Sequence, residues 1–187
     1  VSETLDQLRF GRRLTLERLK LPRYFALFLN QNQSEVLSDK NVRLALAHAT
    51  NRVEIINSVL DGNAFLVDSP LLGGILDINA DVPSYDHDLD LARQILESSG
   101  YTPGEDGILE RRGNRLELTI VTSTWHELTK SAELIAEQWR ALGADITVET
   151  LPVNQLNRDV ISPRAYQVLL FGQVLMFDYT CLRIVMK

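Results

Sequence analysis

The stretch "LELTIVTSTWHELTKSAELIAEQWRALGADITVETL", residues 116 to 151, decides the architecture of this chain. It opens on an apolar, β-branched run and continues with Leu128, Ala132, Ile135, Ala136 and Trp139 at helical spacing. Gly143 stops the helix, and "DITVETL" reads as a strand again. Strand, helix and strand within about 35 residues form a βαβ unit, and a crossover of that length makes the two strands parallel. The fold class expected is α/β, a mixed β-sheet flanked by helices.

Working outward, "DGILERRGNRLELTIV" has the alternation of a β-hairpin joined at Gly113-Asn114. "YFALFLNQ", after Pro22, reads as a buried strand, and "YQVLLFGQVL" as the last strand, preceded by a short helix around residues 154 to 161. "SETLDQL" can form a short helix capped by Ser2. "LSDKNVRLALAHATNRVEIINSVLDGNA", residues 37 to 64, carries two helices. Ser38 or Asp39 caps the first, whose apolar face is Val42, Ala45, Leu46 and Ala49. The second starts near Asn51, carries Val53, Ile56, Val59 and Leu60, and stops at Asp61-Gly62. A long loop over residues 63 to 84 follows, then a helix opened by Asp86 and Asp88, with Leu89, Ala92, Ile95 and Leu96 inward and Gly100 at its end. "TSTWHELTK" is read as a loop before the βαβ helix.

At 187 residues the chain suits one domain, and its formal net charge of −6 argues against nucleic acid, which needs a basic face. No apolar run approaches the ~20 residues of a spanning helix. The mixed, charged start at Val1 gives no secretory signal within these residues. Cys181, the single cysteine, excludes an internal disulfide and a multi-cysteine zinc site. His48, His87 and His126 lie in separate elements without an i, i+4 partner, and "DHDLD" lacks the spacing of a calcium loop, so no metal is expected. No nucleophile elbow, phosphate loop or dinucleotide fingerprint is present; the expectation is a protein without cofactor and without catalysis.

In α/β sheets ligands gather beyond the carboxyl ends of the parallel strands. Two stretches qualify: "TSTWHE", residues 122 to 127, and "GQVLMFDY", residues 172 to 179. In the first, Trp125 offers a stiff apolar face and Thr122, Ser123 and His126 offer hydrogen bonds; the plainer reading is a capped helix start with Trp125 packed as a staple. In the second, Asp178 follows the apolar run "VLMF" and wants a cationic partner, either Arg164 or Arg183 or the ammonium group of a ligand.

Several motifs, taken in order, resemble family 5 of the bacterial extracellular solute-binding proteins, the peptide-, dipeptide- and nickel-binding components of ABC importers. They are "YFALFLN", the 37 to 64 stretch, "SPL" at 69 to 71, "YDHDLDLARQILESSGY", "DGILERRGNRLELTIVTS", "AELIAEQWRALGADITVE" and "SPRAYQVLLFGQ", together spanning roughly residues 24 to 175. The resemblance implies a lobe of the type II periplasmic-binding-protein kind. It is to the second lobe alone, so a first lobe, a signal sequence and any lipid-anchor cysteine belong upstream. Residues 1 to 23 are then a lead-in from the first lobe, 24 to 175 the core, and 176 to 187 a diverged or truncated tail. After Gln173 the family continues with an acidic stretch such as Asp-Pro-Asp-Pro-Tyr, whereas this chain runs "VLMFDYTCLRIVMK".

The resemblance implies an extracytoplasmic receptor that captures a peptide or related small solute and hands it to a membrane permease. Asp178 would take the ligand's α-ammonium group, with Tyr179 and Gln173 beside it and Thr122, Ser123, Trp125 and His126 lining the cleft. A stand-alone α/β interaction domain without a cleft is the alternative reading.

Overall fold

The computed structural model describes residues 23 to 68 and 83 to 174. Backbone contacts divide the chain into two units, Phe25–Gly172 and the pair Val1–Tyr24 with Gln173–Lys187. The first carries the core. The expected helix at "SETLDQL" lies outside the described residues, as does the middle of the 63 to 84 loop.

The main sheet has the order β1-β7-β5-β6, from β1 (Arg23–Leu29), β7 (Val168–Val174), β5 (Glu117–Ser123) and β6 (Asp145–Leu151). β5 and β6 are parallel, in register from Glu117 opposite Asp145 to Ser123 opposite Leu151. β7 is parallel to β5 on its other side, with Ile120 opposite Val168. Asn30, at the end of β1, donates its N–H to Gln167 O at the start of β7 (2.8 Å), so β1 runs the other way and the sheet is mixed, as expected. β5 is nearly all buried because it lies between two strands and under a helix. β1 is an edge strand of half-buried residues, which corrects its reading as a buried one.

The helices covering the sheet follow local signals. Asp39 caps α2 (Lys40–Ala49) by accepting from Asn41 N–H at 2.8 Å, and Val42, Ala45, Leu46 and Ala49 are all buried; the short α1 (Glu35–Ser38) precedes it. Asn51 caps α3 (Arg52–Val59) by accepting from Glu54 N–H, and the chain leaves it through Asp61 and Gly62 at positive φ. Asp88 caps α4 (Leu89–Ser98), which buries Ala92 and Leu96. In α3 no residue is fully buried: Val53 is 52% exposed, Ile56 and Val59 are half-buried, and Ile55 packs on the core.

The long α5 (His126–Leu142) crosses from β5 to β6 and buries Leu128, Ala132, Ile135, Ala136, Trp139 and Leu142. Trp139 donates its indole N–H to Thr50 Oγ1 at 2.9 Å, and Thr50 donates its own hydroxyl to Leu46 O at 2.7 Å. Beside them, Gln138 accepts from Asn51 N–H and donates to Glu54, so α5 grips the elbow between α2 and α3 through three hydrogen bonds.

The hairpin differs from expectation. Its strands are β3 (Leu109–Arg111) and β4 (Asn114–Arg115), turning through Arg112-Gly113, both at positive φ, rather than through Gly113-Asn114. With β2 (Thr102–Pro103) they form a separate three-stranded sheet, and β5 leaves it for the main sheet. Gly143 accepts from Leu109 N–H at 2.8 Å; at φ 107° a side chain there would be strained, and its Cβ would lie 2.9 Å from Leu109 Cγ. After β6, α6 (Val153–Gln155) and a π-helical turn (Leu156–Ile161) replace the single short helix expected. Among the described residues no helix is long and apolar enough to cross a membrane.

Arg111 joins the small sheet to two helices. Its guanidinium donates to Asp39 Oδ2 (2.6 Å) and to Ser99 O (3.1 Å), and lies 4.8 Å over the Tyr101 ring. Partial burial pushes the Asp39 pKa up, but the Asn41 N–H and the Arg111 guanidinium outweigh it and hold the carboxyl below its ordinary value. A folded-state pKa below the unfolded one means stability present above about pH 4 and lost as pH falls through the folded value. Asp39→Asn keeps the cap and loses the charge, so it should cost about 1 kcal/mol at pH 7 and less as pH falls toward 2. Urea titrations at both pH values measure this; a pH-independent difference contradicts the role given to the ion pair.

Candidate functional site

The carboxyl ends of β5 and β6 meet at a corner. Thr124, just past β5, donates its N–H to Leu151 O at 3.0 Å, which holds the two strand ends together. α5 starts two residues later. Trp125 is its N-cap and supplies no side-chain cap, so Ser123 and Thr129 do the local work. Ser123 Oγ accepts from Trp125 N–H (3.3 Å), and Thr129 donates its hydroxyl to Ser123 O (3.2 Å). The expected loop "TSTWHELTK" is therefore a strand end, two connecting residues and a helix start.

This corner sorts the sequence-derived site residues. Thr122 is fully buried and donates its hydroxyl to Leu170 O on β7 at 2.8 Å, which commits it to the sheet. Ser123 is also buried, with its oxygen engaged by the helix start. Trp125 and His126 are the exposed pair, Trp125 at 48% exposure. A large apolar ring left half in solvent costs solvation that a ligand or partner surface recovers. Gln173 lies on β7, and Asp178 and Tyr179 lie outside the described residues.

His126 also lines a shallow groove of about 320 Å³ with Ser58 and Val59 of α3 and Lys130, Glu133, Leu134 and Glu137 of α5. Within it Lys130 and Glu133 pair at 2.7 Å, and the hydrogen bond to Glu133 raises the Lys130 pKa. The residues of α3 were absent from the sequence-derived set. Their nearness to His126 comes from the packing of α3 on α5 across some 70 residues of chain, which no local pattern encodes.

His48 sits elsewhere. Its Nδ1–H donates to Asp86 O at 2.8 Å, its ring meets Tyr85 edge-on, and its own carbonyl accepts from His87 and from Asp88 N–H. Arg52 completes the arrangement by donating to Val67 O, to the Asp68 carboxylate (2.7 Å) and to Tyr85 O. Together they hold both arms of the long loop against α2 and α3. Among the described residues no group of three or more His, Cys, Asp or Glu side chains could hold a metal ion.

The chain is similar to known proteins over most of its length. The family model described as bacterial extracellular solute-binding proteins, family 5, middle, matches residues 6 to 178. The oligopeptide-binding protein AppA of Bacillus subtilis is 30% identical over 135 residues, which cover 67% of this chain and 24% of AppA. Among solved structures, NikZ of Campylobacter jejuni in complex with Ni(L-His) superposes with a TM-score of 0.75 at 25% identity, covering 85% of this chain and 31% of NikZ. AppA in complex with a nonapeptide gives 0.71 at 26% identity, covering 83% of this chain and 32% of AppA. The chain thus spans about a quarter to a third of the length of these relatives. Their type II periplasmic-binding fold, a mixed sheet flanked by helices, is the fold class expected from the sequence.

The corner separates fold-bearing from surface side chains, and two substitutions test the division. Thr122→Val leaves Leu170 O without its donor and should cost about 1–2 kcal/mol. Trp125→Ala should change stability by less than about 0.5–1 kcal/mol, because half of the ring is already in water. Urea unfolding measures both; a larger loss for Trp125→Ala would make its ring a core element rather than an available surface.

Proposed function

The chain belongs to family 5 of the bacterial extracellular solute-binding proteins, and on that premise we propose that it is a ligand-binding lobe of an extracytoplasmic receptor for an ABC importer. Its ligand is a peptide or a related small solute, and its work is capture and delivery without catalysis. The observation that carries this reading is the match along residues 6 to 178 together with 30% identity to a protein named for oligopeptide binding.

In this reading the lobe closes on its ligand against a first lobe of the same polypeptide. Closure is a population shift: a ligand touching both lobes stabilises the closed form by its contacts with the second one. An extended peptide is held mainly through main-chain hydrogen bonds and its terminal charges, which tolerates varied side chains. Trp125 and His126 sit where a ligand at the sheet's carboxyl end would meet them. Asp178 takes the ligand's ammonium group, with Gln173 and Tyr179 adjoining, while Thr122 and Ser123 hold the corner in shape. The closed receptor then docks on a membrane permease. A lipid anchor upstream would keep it at the cell surface.

Calorimetry on the chain joined to its first lobe, titrated with a mixed nonapeptide pool, should give saturable binding, and the 187-residue chain alone should bind far more weakly. Asp178→Asn in the two-lobed protein should weaken peptides with a free amino terminus about ten-fold or more, and N-acetylated ones little. No heat from the two-lobed protein would sink the reading; equal losses for both peptide types would remove Asp178 from its role alone.

A further inference from the structure

A second groove lies at the opposite end of the sheet. The end of β1 and the turn at residues 30 to 33 face the crossover that enters β7. Asn30 staples them: its N–H donates to Gln167 O, its side-chain amide to Arg164 O at 2.9 Å, and its Oδ1 accepts from Asn32 N–H. The space between is about 550 Å³ and is lined by Phe28, by Asn30 to Gln33, and by Arg164 and Tyr166. Gln167 bonds Thr119, near the start of β5, so this groove is roughly 20 Å along the strands from the Trp125 corner.

Its chemistry is unspent. Most described arginines are engaged within the fold: Arg52 with Asp68, Arg111 with Asp39, Arg115 with Asp106, Arg158 with Asp159. Arg43 and Arg140 donate to backbone carbonyls, and among the described residues the guanidinium groups of Arg112 and Arg164 have neither kind of partner. Arg112 stands at a hairpin tip, whereas Arg164 borders a groove. Arg164 also has φ +56°, in the left-handed region where the π-helical turn stops, a position that glycine fills with less strain. Beside it the side-chain amides of Gln31, Asn32 and Gln33 are exposed and bond to no described residue. Phe28 leaves 38% of its surface in solvent, and Tyr166 is half-buried.

We propose that the Phe28–Arg164 groove is a second binding site, for an extended acidic peptide segment. Side-chain amides offer both donors and acceptors to a peptide main chain, guanidinium takes a carboxylate through two parallel hydrogen bonds, and the two aromatic faces take an apolar neighbour. The site is independent of the ligand corner and of the receptor reading. With a net charge of −6 the chain as a whole repels acids, so any preference for one must come from the groove itself.

The test uses the full 187-residue chain and two peptides blocked at both ends, acetyl-Ala-Phe-Glu-Ala-amide and its Gln counterpart. Titrations are followed by the side-chain amide signals of Asn32 and Gln33 in two-dimensional NMR. The Glu peptide should bind about 5-fold tighter or more. Arg164→Gly should abolish that preference while keeping the melting temperature, since glycine accepts the same backbone angle. Arg112→Gly removes an equal charge and should leave the preference intact. Equal affinity for the two peptides in the unaltered chain overturns the proposal. So does a preference that survives Arg164→Gly or vanishes in Arg112→Gly, and so do signal shifts confined to Trp125 and His126.

Discussion

The buried hydrogen bond from Trp139 to Thr50 is the constraint on which the rest of this fold depends. Trp139 is the largest fully buried side chain, and an indole N–H placed there without an acceptor would cost about 1–3 kcal/mol in uncompensated desolvation. Thr50 answers it from the elbow between α2 and α3, and turns its own proton back to Leu46 O. The bond can form only when the elbow lies on one part of α5. That fixes where α2 packs, and it brings Ser58 and Val59 of α3 to the groove at His126. From the same elbow, Arg52 and His48 reach the two arms of the long loop.

With the helices so held, the two ends of the sheet become different in kind. At the carboxyl end of β5 the hydroxyls face inward and close the corner, leaving Trp125 and His126 outside. At the other end Asn30 ties a turn to a crossover and leaves amides and a guanidinium outside. Neither end contributes much to the core. Only the exposed side chains at each end, Trp125 and His126 at one and Gln31 to Gln33 with Arg164 at the other, can vary in chemistry with little cost to the frame.

Much of this frame was legible because its signals are local. Asp39, Asn51 and Asp88 each accept a first-turn N–H, and each precedes an apolar stripe at helical spacing, so three helices announced their own starts. α5 hid its start because Trp125 makes no side-chain cap, and the polar "TST" before it imitated a loop. Thr122 is polar by type yet buried, and its partner Leu170 is 48 residues away. That distance is why it resembled a ligand contact in the sequence. The hairpin turn slipped by one residue because Arg112, rather than a glycine, takes the first left-handed position. For α3 the regular apolar spacing gives an amphipathic helix but cannot say how deeply its neighbour buries it. The resemblance to the solute-binding family rested on order and spacing across many elements, and those survive when single positions are misread.

The central claim is the proposal that ligand contact belongs to the carboxyl end of the sheet, with the helices at residues 37 to 64 serving as scaffold. Hydrogen–deuterium exchange on the two-lobed protein, with and without a saturating nonapeptide, tests it most directly. The account predicts new protection at residues 122 to 130 and 172 to 179, with α2 and the hairpin unchanged. Protection appearing first at residues 40 to 59, with the corner unaffected, would contradict it.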